Sequence, residues 1–361
     1  SVTCSPGGVF CRARKSKKYT YVFVRNVGGP PVSVKLSCCR EAVQLGRTEM
    51  KVLVVDSSGS IAGAIGPFDP VVIPPAKKKG INIPELSDWT FADASPQISE
   101  GYDDRSWRPL EGEPDWDFDS LGNYYGYGWF RGTYKGKMSR VVIDARHCFS
   151  VFINGRLIAS RDNFRNFSGV GDDVAEKFDI SVPAEVQHGG TNTIVIVVES
   201  LGHNKDFECD ARNPRGIVSL RCVGVKVVWR FRGGLLEGEK GLCPVLDPKI
   251  FAAYSNKRKV SLPDFWSPDT EGVGLYETGV KFDLKADDPD PVGIVIPEAF
   301  SKANIYVNGF LLGRYWHEKG PQHKFFIPWG ILDPKGDNHI AIAVWKRWEA
   351  GGLGKVKIES Y

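Results

Sequence analysis

Breaking bonds needs groups that converge on one atom, and the candidates here are few. Three adjacent carboxylate pairs, Asp103–Asp104, Asp172–Asp173 and Asp287–Asp288, have the residue types for general acid–base work. That work requires two carboxyls at one bond, with one kept protonated by its surroundings. Each pair lies beside Gly or Pro, where neighbouring acids serve turns rather than a common substrate bond. Asp290 extends the third pair, but the spacing is not that of a calcium loop. Six histidines (His147, His188, His203, His317, His323 and His339) are scattered, and none forms H-E-x-x-H. There is no G-x-S-x-G elbow, and Gly126-x-Gly128 runs into a strand rather than opening a helix, so it cradles no phosphate. The sequence therefore predicts no catalytic residue, no metal and no cofactor. Recognition remains. A flat aromatic ring stacks on the apolar face of a pyranose while His, Asn, Asp or Arg bonds its hydroxyls. Trp316 with His317 and Trp348 with Arg347 offer that combination on loops, and together with His203 and Asn204 of the loop 199–206 they are the expected carbohydrate contacts. Trp129, Trp229 and Trp345 sit within apolar runs and are expected in cores.

The chain that must position these groups has 361 residues, 42% hydrophobic and 25% charged. That is an ordinary globular composition with length for two or three domains. It excludes a disordered chain, a collagen and a coiled coil. No apolar run reaches about 18 residues, so no helix is expected to cross a membrane. A net charge of +4, with 43 acidic residues dispersed among 47 basic ones, gives no nucleic-acid footprint. Eight cysteines without a C-x-x-C pair argue against zinc and for disulfides in an oxidising compartment. Cys209–Cys222 is the first expected pairing and Cys4–Cys11 the next; the adjacent Cys38 and Cys39 should not pair with each other. The sequon at Asn166 and a Ser at position 1 agree with a processed, secreted or lumenal glycoprotein.

With 40 Gly, 23 Pro and many aromatic residues, the chain reads as short strands and tight turns. Residues 19–25 and 50–56 are β-branched or aromatic runs, and Val27–Pro30 and Asp56–Gly59 read as hairpin turns. The basic run from Arg12 to Lys18 reads as a solvated hairpin face. Residues 67–85, rich in Pro and Lys, read as a linker. Beyond it lies an internal repeat. The first copy runs Gly126–Gly132, Ser150–Ala159 around Asn154-Gly155, Phe178–Ile180 and Gly190–Val198. The second runs Gly272–Tyr276, Ala303–Gly313 around Asn308-Gly309, Phe325–Pro328 and Gly336–Val344, in the same order. Asn-Gly tolerates the two positive φ angles of a type I′ hairpin, so the two turns should superpose. The fold expected is all-β: a small antiparallel unit at 1–75, then two galactose-binding-like jelly-roll sandwiches at 76–232 and 233–361, the latter led by a connector.

These motifs, in this order, resemble the paired C-terminal jelly rolls of fungal-type β-galactosidases of glycoside hydrolase family 35. The resemblance rests on Trp89, Tyr102-Asp103-Asp104, Trp107, Tyr124–Gly132, Pro214–Ile217, Val228–Gly233, Gly320-Pro321-Gln322 and Gly330-Ile331-Leu332. It is good over 85–361 and thin over 1–85, where Lys51–Asp56 matches the small β-domain that follows the catalytic barrel. The family hydrolyses β-galactosides with retention, using two glutamates on a (β/α)8 barrel. No residue here matches those glutamates. The resemblance therefore implies a non-catalytic β-galactosidase-like module acting in carbohydrate recognition or as scaffold. The alternatives are a processed subunit of an active enzyme whose barrel is on another chain, and a purely structural assembly protein. The partners implied are a glycan or galactoside, and a catalytic-barrel chain or larger assembly.

Overall fold

A computed structural model describes residues 3–5, 9–27, 30–47, 49–65, 82–112, 114–163, 177–203, 214–284, 291–348 and 350–360. Almost all regular structure is antiparallel strand, so the fold is all-β as the sequence predicts. The chain divides into two compact units, Ser1–Gly80 and Ile81–Tyr361.

In the first unit, strands Val9–Lys15, Tyr19–Asn26, Met50–Asp56 and Ile61–Ile65 form one sheet in that order. A second sheet joins Cys4–Ser5, Val32–Leu36 and Val43–Leu45. Alternating side chains, among them Val22, Val24, Val34, Leu36, Leu53 and Val55, meet between them as a small core. Asp56–Gly59 is the expected hairpin turn: Asp56 Oδ1 accepts from Ser58 N (2.8 Å) and Ser60 N (3.0 Å), and Gly59 takes φ 84°. The expected turn at Val27–Pro30 lies partly outside the described residues, but the strands on either side of it, Tyr19–Asn26 and Val32–Leu36, belong to different sheets rather than to one hairpin, since Tyr19–Asn26 is already paired on both sides by Val9–Lys15 and Met50–Asp56. Most of the linker read at 67–85 lies outside the described residues.

The second unit contains two sandwiches built alike. The first has a six-stranded sheet in the order Arg156–Asp162, Cys148–Ile153, Thr191–Glu199, Tyr127–Lys135, Val227–Gly233, Arg108–Leu110. Its four-stranded partner carries Trp116–Asp117, Gly216–Val223, Arg140–Arg146 and Phe178–Ser181. The second sandwich repeats the pattern. Val273–Lys281 and Asp337–Trp345 pair centrally, as Tyr127–Lys135 and Thr191–Glu199 do, and Lys302–Val307 and Phe310–Trp316 complete that side. The two Asn-Gly turns are equivalent in backbone and bonding. Asn154 (φ 49°) and Asn308 (φ 50°) precede Gly155 (φ 82°) and Gly309 (φ 85°). Each Asn side chain donates to an Asn carbonyl oxygen of the neighbouring strand, Asn192 at 2.7 Å and Asn338 at 2.8 Å, and accepts from the next backbone amide, that of Thr193 or His339.

The expected boundary between the sandwiches needs one correction. Thr90–Asp93, placed in the first jelly roll by the range 76–232, is a strand of the second, paired to Val273–Lys281. Gly274 permits it: a Cβ there would strike Phe91 and Trp266, whose rings pack edge-on at 5.9 Å. Trp89 likewise lies in the second sandwich's core. A further core lies between the two six-stranded sheets, where Tyr127, Trp129 and Phe152 of one copy meet Leu275, Tyr306 and Trp345 of the other. Trp129, Trp229 and Trp345 are buried, as their apolar surroundings predict. The stretch after Gly233 feeds Leu235, Leu236, Leu246 and Phe251 into the same core.

Candidate functional site

The residues singled out in the second sandwich lie at the seam between the two six-stranded sheets. Lys302 opens its strand opposite both Trp316 and Trp345, and Glu199 closes Thr191–Glu199, the first sandwich's counterpart of Asp337–Trp345. Both side chains are wholly buried, and they pair. The Lys302 ammonium also sits 3.7 Å from the centroid of the Trp316 ring, and Arg314 Nε lies 3.5 Å from the other Glu199 oxygen. Charge taken out of water must be matched in this way, because an unpaired buried ion costs several kcal/mol.

Arg347 makes the second bridge. It is 0% exposed, and its Nη2 donates to the Asp162 carboxylate and to the Arg161 carbonyl (3.0 Å) across the seam. Its guanidinium lies over Trp345 (5.1 Å), Trp348 (5.3 Å) and Trp316 (5.8 Å), whose π faces favour the cation. Among the described residues Nε and Nη1 have no hydrogen-bond partner, and these rings lie beside them.

The structure thus brings Trp316, Arg347 and Trp348 together, and separates His317 from them. Trp316 ends a strand rather than lying in a loop, and alternation turns the next residue away. His317 packs on Phe300 at 4.8 Å, with its Nδ1 3.4 Å from the Tyr315 hydroxyl. His203 belongs to the first sandwich, where its Nε2 lies 2.9 Å from an Asp119 oxygen, and Arg215 holds the other oxygen of that carboxylate. Asn204, Asn166 and Cys209 lie outside the described residues, and with Cys209 so does the expected Cys209–Cys222 pairing. Cys4 and Cys11 are neighbouring side chains of the small unit. Each strand that carries them is paired elsewhere, and the Cys4 thiol donates to the Val9 carbonyl at 3.2 Å.

Among the described residues, the seam's ionisable groups are committed to one another or held by burial. The Glu199 carboxylate is taken up by Lys302 and Arg314. Burial pushes the Cys148 thiol up to about 12, which withholds the thiolate a nucleophile needs. Burial likewise holds the Tyr127 and Tyr306 phenols well above their ordinary range. The Asp103–Asp104 pair is spent on arginines: Asp103 chelates Arg105, which lowers its carboxyl to about 2, and Asp104 faces Arg131 at 3.2 Å. No cluster of His, Cys, Asp or Glu among the described residues could hold a metal. An open cleft of about 550 Å³ between Glu237 and Ala253 carries one buried acid, Glu239, whose Oε2 accepts from the amides of Leu235 and Leu236.

Sequence reasoning missed Glu199, Lys302 and Asp162 as a set. A signal was present, because Lys302 and Glu199 are the charged ends of strands rich in apolar residues. Their pairing with each other could not be read from either.

Residues 251–349 match the family model described as Beta-galactosidase second all-beta domain. The chain is 27% identical over 335 residues to the protein described as "Probable beta-galactosidase C" of Aspergillus oryzae, covering 80% of this chain and 32% of that one. It is 26% identical over 362 residues to the "Probable beta-galactosidase C" of Aspergillus niger, covering 89% and 35%. To "Beta-galactosidase A" of Aspergillus oryzae it is 27% identical over 306 residues, covering 73% and 30%. The chain spans about a third of the length of the curated relatives it matches.

Proposed function

We propose that this chain, which resembles the non-catalytic all-β region of fungal β-galactosidases, is a scaffold segment of a β-galactosidase-like glycosidase. One observation carries the reading. The residues best suited to sugar recognition, Trp316 and Arg347, are built into the seam that joins the sandwiches. A buried Lys302–Glu199 pair and a half-buried Arg347–Asp162 pair beside a shared aromatic core make that seam a structural joint, and a rigid block is what a scaffold must be. In this reading catalysis belongs to a barrel that the described residues do not contain, on a further chain or a further part of the polypeptide. The secretory route is the setting, in keeping with the Asn166 sequon and the eight cysteines.

A second, narrower reading is favoured by the exposed side of Trp348 (40%) next to the half-buried Trp316, which leaves aromatic surface for a glycan. The test has two arms. Purified residues 1–361 are expected to leave a chromogenic β-galactoside uncleaved above buffer; turnover that follows the chain through successive purification steps would overturn the scaffold reading. On a glycan array, binding that Trp348→Ala abolishes at unchanged melting temperature would add recognition to the scaffold role.

A further inference from the structure

The Ser1–Gly80 unit buries only one face of its four-stranded sheet. Strand alternation sends Val22, Val24, Leu53 and Val55 into the core. The same alternation lays four cross-strand rows on the opposite face. These are Phe10–Arg25–Met50, Arg12–Phe23–Val52–Ile65, Arg14–Tyr21–Val54–Gly63 and, at the turn end, Tyr19–Asp56. Their large apolar members stand in solvent, with Phe10 51%, Phe23 42% and Ile65 58% exposed, and Tyr21 and Met50 beside them. A sheet with one solvated face ordinarily turns polar residues to water. This face instead has the composition of a protein interface, rich in Phe, Tyr, Met and Arg, and its one carboxylate, Asp56 at the turn end, is taken up by the amides of Ser58 and Ser60. Arg12 lies over the Phe10 ring at 5.6 Å. The aliphatic Met50, Val52, Val54 and Ile65 interleave with the rings and deny a sugar the continuous flat surface that stacking needs.

We infer that this face docks a further protein domain of the glycosidase assembly, one that presents an apolar patch edged by Asp and Glu. The inference rests on the scaffold reading above and adds to it the surface and the chemistry of the partner. Charge, area and length choose this occupant. Arg12, Arg14 and Arg25 would repel the same face of a second copy and attract carboxylates. Four strands about 4.8 Å apart, with rows about 7 Å apart, give roughly 400 Å². That is about half the ~800 Å² per partner of a free-standing complex. It matches the ~600–1,500 Å² total of contacts between domains that are already held together. About two thirds of the length of the relatives falls outside the region matched, which is ample for such a domain.

Hydroxyl-radical footprinting tests this on two preparations, residues 1–361 alone and the native assembly isolated from its source. In the chain alone, Met50, Tyr21 and Phe23 are expected to oxidise readily. In an assembly that cleaves β-galactosides, their oxidation at matched dose is expected to fall severalfold. Phe23→Glu or Ile65→Glu, made in the native polypeptide, should restore oxidation of Tyr21 and Met50, while the melting temperature of the isolated variant chain stays within a few degrees of wild type. Equal oxidation in both preparations, with the assembly active, would overturn the docking surface and leave the scaffold reading standing. Protection already present in residues 1–361 alone would overturn it too, by showing that the chain or a second copy covers the face. Native material holding no glycosidase polypeptide would overturn both.

Discussion

Lys302 belongs to a strand whose six side chains are all buried, and its ammonium is matched by Glu199 from the other sandwich. Removing one partner of such a pair leaves an uncompensated buried charge, whereas replacing both by apolar groups can restore most of the loss. Lys302→Met is therefore expected to cost about 3–5 kcal/mol in urea unfolding. The double variant Lys302→Met with Glu199→Leu should be more stable than Lys302→Met alone, and a double variant that is worse would assign the pair a net stabilising role. Glu239 makes a prediction in pH. Burial raises its carboxyl above the ordinary 4.5, so the folded state holds that proton more tightly than the unfolded chain. Its contribution is thus fully present below about pH 4.5 and is lost as pH rises through the raised folded value. Unfolding free energies measured across this window should fall less steeply for Glu239→Gln, whose amide oxygen can still accept from Leu235 and Leu236. An unchanged slope would move the effect to another group. At this scale the sequence was legible for the core tryptophans, because Trp129, Trp229 and Trp345 sit in apolar runs. It was not legible for Arg347, whose neighbours in sequence are Lys346 and Trp348 but whose partner is Asp162, 185 positions earlier.

The Asn-Gly turns are the elements the sequence specified most fully. Two positive φ angles in succession admit few residue pairs, so the dipeptide alone implied both the turn type and the register. Their surroundings differ in a way that only packing shows. A Cβ at Gly155 would have Ile98 O as its nearest neighbour, at 3.7 Å, while one at Gly309 would overlap the Leu246 carbonyl oxygen. Leu246 also donates its amide to Gly309 O at 2.8 Å. Gly155→Ala is thus expected to lose only the strain of its dihedral, about 1–2 kcal/mol. Gly309→Ala should lose clearly more, since Leu246 and the chain leading to the Pro248–Ala252 helix must shift. Equal losses in chemical denaturation would mean that the 240–250 segment yields without cost. Val27–Pro30 marks the limit of such reading. Gly-Gly-Pro signals a reversal but not which sheet receives the chain, and that was decided by Tyr19–Asn26 already having a neighbour on each side.

At the scale of the molecule, the two sandwiches of Ile81–Tyr361 share one aromatic core and two ion pairs, one of them fully buried, so neither can open without exposing the other. Calorimetry is expected to show a single transition for this unit. Trp345→Ala, a truncation of the kind that costs about 3–5 kcal/mol in a core, should lower that transition as a whole. Two resolved peaks, only one of them moved, would mean independent sandwiches. The sequence by itself determined the all-β class, the duplicated jelly roll and the equivalent turns. Each of these is written in local pattern: strand alternation and Asn-Gly dipeptides. Only the tertiary structure decided that Thr90–Asp93 belongs to the second sandwich, that Trp316 and Arg347 hold a seam, and that one face of the small sheet is left apolar in solvent. These depend on which of two faces or edges is covered by residues far away in the chain. A strand's own sequence says that it has a buried face but does not name what buries it.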